Sequence, residues 1–563
     1  MLEWLRRYRR AMLAGDISAG LVVAMMMIPQ GMAYALVAGL PPVVGIYASI
    51  LPPLLYALFG SSMTQSVGPM AIISLMTAAA LAPLAAPGSG LYLVLAGQLA
   101  LMSGAVLLVC GLLRIGFLAN FFSRPVMSGF TIGSAILIAL GQVKALLGGD
   151  LEHVHMPSAV LGVGALALLL FARNTLAPLL RRIGLRATAA DIGVRLAPMF
   201  VVLGATVLSV AIDLQAQGVA TTGAVPAGLP GLNLATSSAH WRALVQPALL
   251  IGFMTFLISM SAAQALALKR QEKLNSNFEL LGLGAANIGS ALSGGFAVTG
   301  SISRSAVNFA AGANTPLASV ITAVLLALAL VAPTGWLALL PLPALAATII
   351  VAVLGMLELS TLKTAWRYDR GDALALLATA AGVLAMGVEA GVIIGVVLSM
   401  GTLIWRASRP HIAVLGRIAG TEHFRNIDRY PAETRPDILM LRIDANLFFG
   451  NVEAVKQRVE EGLRSHPEAR HLVLVMTAVS SIDTSALFAL AELNQSLRQH
   501  GIGLHLAEVK GPVMDRLKTS DLPAALNGKI FLSAAMAWDG IPCEGEIREP
   551  VHDAVAPSAG RSL

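Results

Sequence analysis

Between residues 16 and 406 the chain strings together fourteen apolar runs, separated by turns or short charged loops. Lipid offers a backbone no hydrogen-bond partners, so runs of this kind fold as helices that satisfy their own N–H and C=O groups. The runs lie at 16–38, 43–60, 67–84, 91–112, 121–145, 158–178, 195–213, 244–268, 277–293, 301–312, 315–332, 337–356, 372–387 and 388–406. With 56% hydrophobic and 12% charged residues, the chain cannot cover a soluble surface and reads as a polytopic membrane protein.

The loops orient these spans. Alternate loops carry Arg114, the 181–186 segment RRIGLR, the 269–273 segment KRQEK, and Lys363, Arg367 and Arg370; the loops between them carry Asp150, Glu152 and Asp213. The positive-inside rule puts the basic set, and both termini, in the cytoplasm. The net charge of +7 then reflects cytoplasmic loops, not nucleic-acid binding. The start, MLEWLRRYRR, reads as the flank of a retained first helix, not a cleaved signal. Cys110 and Cys543 supply neither a disulfide framework nor a metal cluster. No phosphate-binding loop or nucleophile–base pair is present by motif, so no cofactor, metal or enzymatic activity is expected.

After about Arg409 polar residues become common. ILMLRID (438–444), HLVLVMT (471–477) and GLHLAEV (503–509) read as strands, alternating with amphipathic helices NVEAVKQRVEEGLRS and SALFALAELNQSLRQHG. The expected organisation is a membrane domain over 1–409, a cytosolic α/β domain over 410–543 and a flexible tail over 544–563.

Two spans are interrupted. GGFAVTGSISRSAVN (294–308) breaks on glycines and places Arg304 in the first turn of a helix beginning near Ser301, with Thr299, Ser301 and Ser303 as candidate caps. TQSVGPMAIISLMTAA (64–79) has Ser66 as a candidate cap and Pro69 near the first turn. They are the third and tenth spans, the same place in each half of seven. That is the pattern of an inverted repeat whose half-helices meet at mid-membrane. Such a junction, with free N–H groups and a cation, suits an anion. The other reading is a glycine-rich loop with a structural arginine.

IPQGMAYALVAGLPPVVGIYASILPPLLYALFG (28–60) followed by SVGP (66–69) closely resembles the start of SulP-type anion transporters, whose animal relatives carry chloride, bicarbonate, sulfate and oxalate. NSNFELLGLGAANIGSALSGGFAVTGSISRSAVNFAAGANTPLAS (275–319) resembles their second signature, and SSIDTSAL (480–487) the core of their STAS domain. The resemblance covers nearly the whole chain in order. It implies a seven-plus-seven inverted repeat, a core moving against a gate, and a homodimer. By resemblance Ser66, Val67, Gly68 and Met70 line one side of the anion site, and Ser301, Ile302, Ser303 and Arg304 the other. Gln30 and Tyr34 complete it, although helix–helix adhesion and plain packing also explain these two. In the STAS domain Asp483, Thr484 and Ser485 match the turn whose serine is phosphorylated in anti-sigma-factor antagonists; helix capping by Asp483 and Thr484 is the simpler reading.

Two departures bear on coupling. Ile258 stands where many bacterial members carry an acid on the eighth span, and Gln30 where some carry a carboxylate. The expectation is transport without strict sodium dependence or steep proton dependence, with Glu389 as the remaining nearby acid. Sulfate is the default substrate. An uncoupled chloride or bicarbonate pathway, a dicarboxylate carrier, and a membrane sensor signalling through the STAS domain are the alternatives.

Overall fold

The computed structural model describes residues 3–6, 8–117, 123–150, 152–184, 187–223, 226–232, 235–332, 334–357 and 359–542. The end of the 181–186 loop, Cys543 and the expected tail over 544–563 lie outside the described residues. The chain divides into two compact units, Met1–Ser399 and Met400–Leu563.

Every apolar run of the first unit meets a helix. Among the described residues nine helices are long and apolar enough to cross a membrane. The other five spans are shorter: Ala71–Leu81, Ser276–Leu292, Ile302–Ala310, Leu317–Val331 and Arg370–Met386. Leu112, Leu140, Val160, Leu168, Val207 and Leu328 point outward, exposed, from spanning helices. Apolar side chains in contact with lipid need no cover, which is how an all-apolar helix can leave a face unpacked. The protein is a polytopic helical membrane protein.

The first span, Leu13–Val37, packs against the eleventh, Leu317–Val331. The ninth, Ser276–Leu292, packs against the fourth, Gly90–Leu112, and against Leu51–Phe59 of the second. The eighth, Trp241–Arg270, also meets the fourth. The thirteenth, Arg370–Met386, packs on the fifth, Arg124–Gly141, and the twelfth, Leu342–Leu354, on the sixth, Met156–Phe171.

The third and tenth spans each begin with an extended lead instead of a helix. Strand β1 (Val67–Gly68) pairs antiparallel with β2 (Thr299–Gly300), Val67 opposite Gly300 and Gly68 opposite Thr299. Ala71–Leu81 follows one lead and Ile302–Ala310 the other. This corrects the expected roles of Ser66 and Pro69. Pairing draws the chain out through Gly68, so the helix starts later, at Ala71 with Met70 as its N-cap and no side-chain cap. Ser66 instead joins the pairing through its backbone, and Pro69 precedes the helix.

In the second unit six strands align in the order β4-β3-β5-β6-β7-β8. Here β3 is Ile412–Arg417, β4 Phe424–Asn426, β5 Ile438–Ile443, β6 His471–Val475, β7 Gly503–Ala507 and β8 Ile530–Phe531. The last four are parallel, in register as Ile438, His471 and Gly503, while β3 runs antiparallel to both its neighbours. Leu439, Leu441, Leu472 and Leu504 pack with Val455 and Val459 of the Val452–Ser465 helix and Leu490 and Leu497 of the Thr484–Gln499 helix. Met440, Val473 and Val475 pack on the other face with Trp538. Burial on both faces explains why these strands read as unbroken apolar runs. The sequence reading passed over β3, β4 and β8.

Candidate functional site

The paired leads set two helix starts face to face, and hydrogen bonds around them fix the arrangement. Ser301 N donates to Ser66 O at 3.1 Å, and Ser66 N to Ser305 Oγ at 2.9 Å. Asn308 Nδ2 donates to Thr64 O at 2.9 Å, and Ser319 Oγ to Gln65 O at 3.3 Å. From the other side the ninth span clamps the second lead: Asn287 Nδ2 donates to Val298 O, and Val298 N to Asn287 Oδ1, both at 2.9 Å. Thr299 Oγ1 donates to Thr255 O of the eighth span at 2.9 Å. Gly300 is demanded by close approach: a Cβ there would lie 1.8 Å from Gln65 Nε2 and 2.6 Å from Ser259 Oγ, whereas one on Gly68 would meet chiefly the flexible end of Met27.

Arg304 is 1% exposed. Its Nη1 donates to Pro69 O at 2.7 Å, across the junction onto the opposite lead. Its Nε and Nη2 are buried and have no hydrogen-bond partner among the described residues. Nη2 lies against Gly68, 3.4 Å from where a Cβ would stand. A buried cation with two unpaired donors favours a partner of opposite charge. The N–H groups opening Ala71–Leu81 have no side-chain cap, and at Ile302–Ala310 the Ser301 hydroxyl reaches Arg304 N only at 3.5 Å. Both helix starts therefore add partial positive charge to that of the guanidinium.

The fold brings together most of the residues expected here. Ser66, Val67, Gly68 and Met70 are buried on one side, with Ser301 and Arg304 buried on the other. Ile302 and Ser303 follow on the exposed face of the helix start, and Ser303 Oγ lies 3.3 Å from Ser301 Oγ. Tyr34 is buried on the first span within electrostatic reach of Arg304. Gln30 lies one turn earlier on that helix, half-buried. Ile258 is buried within the eighth span, and Glu389 lies in the first turn of Val388–Ser408. The supporting residues Gln65, Asn287, Ser305 and Asn308 were missed by the sequence reading. Polar side chains within apolar runs were their available signal.

In the second unit Asp483 caps Thr484–Gln499, its Oδ1 accepting from Ala486 N at 2.8 Å and its Oδ2 from Phe449 N at 2.9 Å. Thr484 and Ser485 follow as exposed residues of the first turn. Among the described residues no group of His, Cys, Asp or Glu could hold a metal ion.

Comparison with known proteins agrees with this architecture. Residues 13–379 match the sulfate permease family, and residues 429–537 match the STAS domain. A probable sulfate transporter of Mycobacterium tuberculosis (strain CDC 1551 / Oshkosh) is 38% identical over 536 residues, covering 92% of this chain and 93% of that protein. The chloroplastic sulfate transporter 4.1 of Arabidopsis thaliana is 36% identical over 535 residues, 90% of this chain and 76% of its own length. Among solved structures, SLC26A9 superimposes with a TM-score of 0.85 at 21% identity, over 96% of this chain and 92% of its own. The transmembrane domain of the cyanobacterial bicarbonate transporter BicA gives 0.59 at 20% identity, over 68% and 98%. The chain belongs to the sulfate permease family, with a STAS domain following its membrane unit.

Proposed function

We propose that the protein is a secondary carrier of a small inorganic anion, with sulfate as its default substrate, working by alternating access. The observation that carries this reading is Arg304: a buried guanidinium with two unpaired N–H donors between two helix starts. Backbone dipoles and one cation attract an anion without a full cage of counter-charges, so the ion can also leave. The names of the relatives in Mycobacterium tuberculosis and Arabidopsis thaliana support sulfate. Gln30, Tyr34, Ser66, Val67, Gly68, Met70, Ser301, Ile302 and Ser303 are the proposed lining. The carrier sits in the inner or plasma membrane with both termini cytoplasmic and works as a homodimer. Its STAS domain serves assembly or regulation.

Uptake into proteoliposomes of labelled sulfate, bicarbonate, chloride and a dicarboxylate tests the reading. Saturable sulfate uptake, with its apparent affinity weakened by Arg304→Ala, is the expected result; no flux of any of the four anions would refute it. A second reading, uncoupled exchange of chloride or bicarbonate, draws on Ile258 and Gln30, neither of which carries a charge. Under that reading, sodium and proton gradients leave accumulation unchanged.

A further inference from the structure

The first turn of the ninth span buries a carboxyl group, Glu279, with no exposed surface. Its Oε1 accepts from Ser61 N at 3.0 Å, Ser62 N at 2.9 Å and Ser61 Oγ at 2.6 Å. Its Oε2 lies 2.7 Å from the Tyr56 hydroxyl, and the same hydroxyl lies 2.8 Å from Gln65 Oε1. Gln65 Nε2 in turn donates to Ser259 O at 3.1 Å and to Ser259 Oγ.

A phenol carries one proton, and this one faces two acceptor oxygens. If Glu279 is ionised it accepts the hydrogen bond from that hydroxyl, and Tyr56 and Gln65 Oε1 are left lone pair against lone pair in a dry interior. A proton on Glu279 Oε2 removes the conflict. Glu279 then donates to Tyr56, Tyr56 to Gln65 Oε1, and the Gln65 amide to Ser259, with every donor pointing the same way. When the proton leaves, the hydroxyl turns back to the carboxylate. The Gln65 amide must then rotate to offer its N–H to Tyr56, which turns Oε1 toward Ser259 O. The charge on Glu279 and the orientation of Gln65 are therefore one variable. Asp16, equally buried, differs: it accepts only from donors, Asn314 N, Thr315 N and Thr315 Oγ1, and faces no such conflict.

Gln65 connects this carboxyl to the anion junction. It precedes Ser66, whose amide and carbonyl hold Ser305 and Ser301, and its amide fills the space that a Cβ on Gly300 would need. The helices packed on the ninth span carry few titratable groups: Tyr56 on the second, Tyr92 and Cys110 on the fourth, and Arg242, Lys269 and Arg270 on the eighth. Tyr92 donates to Ala38 O, and Arg270 is held by Glu272 and the carbonyls of Ala313 and Asn314. Among the described residues no cation pairs with Glu279. Water has an approach, since Ser61 is half-buried and the adjoining Asn275 is exposed.

We propose that Glu279 is a proton-binding site coupled to the anion site, with the neutral carboxyl holding Gln65 and β1 in the anion-binding arrangement. This rests on the anion-carrier reading. The carboxylate takes one proton from hydronium at the Ser61 end, leaving water and a neutral acid, and the site loses one negative charge. Proton and anion then favour each other's binding by the same factor. The substrate class becomes an anion moved together with a proton, although the eighth-span acid is missing.

Binding to the full-length protein, with sulfate, bicarbonate and chloride as probes across a pH series, provides the test. Wild-type affinity should fall with rising pH by up to about tenfold per unit, the limit for one linked proton. Glu279→Gln offers Tyr56 a permanent N–H and should keep the low-pH affinity at every pH. Tyr56→Phe cuts the chain while leaving the carboxyl, and should also flatten the profile. Infrared spectra should contain a protonated-carboxyl stretch at neutral pH that Glu279→Gln lacks. Either an unchanged pH profile in both variants, or no such band in the wild type, overturns the proposal. A band lost in Glu279→Gln with no anion bound at any pH would retain the proton site and refute the anion reading instead.

Discussion

Arg304→Ala separates a ligand-binding arginine from a structural one by the sign of its effect. In the anion-free protein the substitution removes one charge-assisted hydrogen bond, to Pro69 O, worth about 1.5–3 kcal/mol. It also removes a buried cation without a carboxylate partner, whose effective desolvation penalty is several kcal/mol. The anion-free variant should therefore melt no lower than wild type. With anion bound the balance reverses, because Nε and Nη2 lose charge-assisted bonds of about 1.5–3 kcal/mol each, which do not add fully. A net loss of about 3 kcal/mol weakens binding roughly a hundredfold. At sulfate one hundredfold above the wild-type Kd, stabilisation of about 2.7 kcal/mol should shrink to about 0.4 kcal/mol. Thermal unfolding of purified protein with and without sulfate, alongside calorimetric titration, reads both numbers. A lower anion-free Tm together with an undiminished sulfate shift would show that Arg304 holds the fold and not the anion.

Gly300→Ala should abolish anion binding and lower Tm, because its Cβ would sit 1.8 Å from Gln65 Nε2; Gly68→Ala, opposed chiefly by the flexible end of Met27, should be milder in a parallel melt. In the STAS domain His505 is held down to about 4 by burial, then by His471 and Lys529. Its Nδ1 accepts from Lys529 N at 3.0 Å, which requires the neutral ring. The unfolded chain thus binds this proton more readily than the folded one. The stabilisation is complete above about pH 6.5 and declines as pH falls toward 4; His505→Gln should remove that loss in melts at stepped pH. A single cysteine at Lys273 should resist impermeant thiol reagents applied outside intact cells, and labelling there would overturn the cytoplasmic assignment of the 269–273 loop.

The span count was legible because lipid enforces one backbone solution, and the interrupted third and tenth spans were legible because glycines and Arg304 stand out in apolar runs. The helix start at Ala71 was not, since it depends on a strand partner 233 residues away (Val67 to Gly300) and not on Ser66 or Pro69. Strand β3 was missed because IAVLGR stands ahead of the strand–helix alternation that marks the domain, close behind the helix that ends at Ser408. Glu279 lay within a quoted signature but drew no attention: a single glutamate after a polar loop reads as a helix-start residue, and only the fold reveals that Ser61, Ser62 and Tyr56 enclose it. The charged residue sought at the eighth span was an expectation about position; what the fold supplies is a carboxyl on a neighbouring helix.

The pairing of β1 with β2 also has a consequence for biosynthesis. Val67 emerges 233 residues before its partner Gly300 (300 − 67), which at roughly 5–20 residues per second is a wait of about 12–47 s. Through that interval the first lead has no strand to pair with, and Arg304 has not yet been made. If the junction is the anion site, a nascent chain carrying only the first seven spans should show no affinity for anion. An anion added to ribosome-bound chains of increasing length should begin to protect them from proteolysis only once the tenth span has cleared the insertion machinery, and ligand protection thereby dates the closing of this junction.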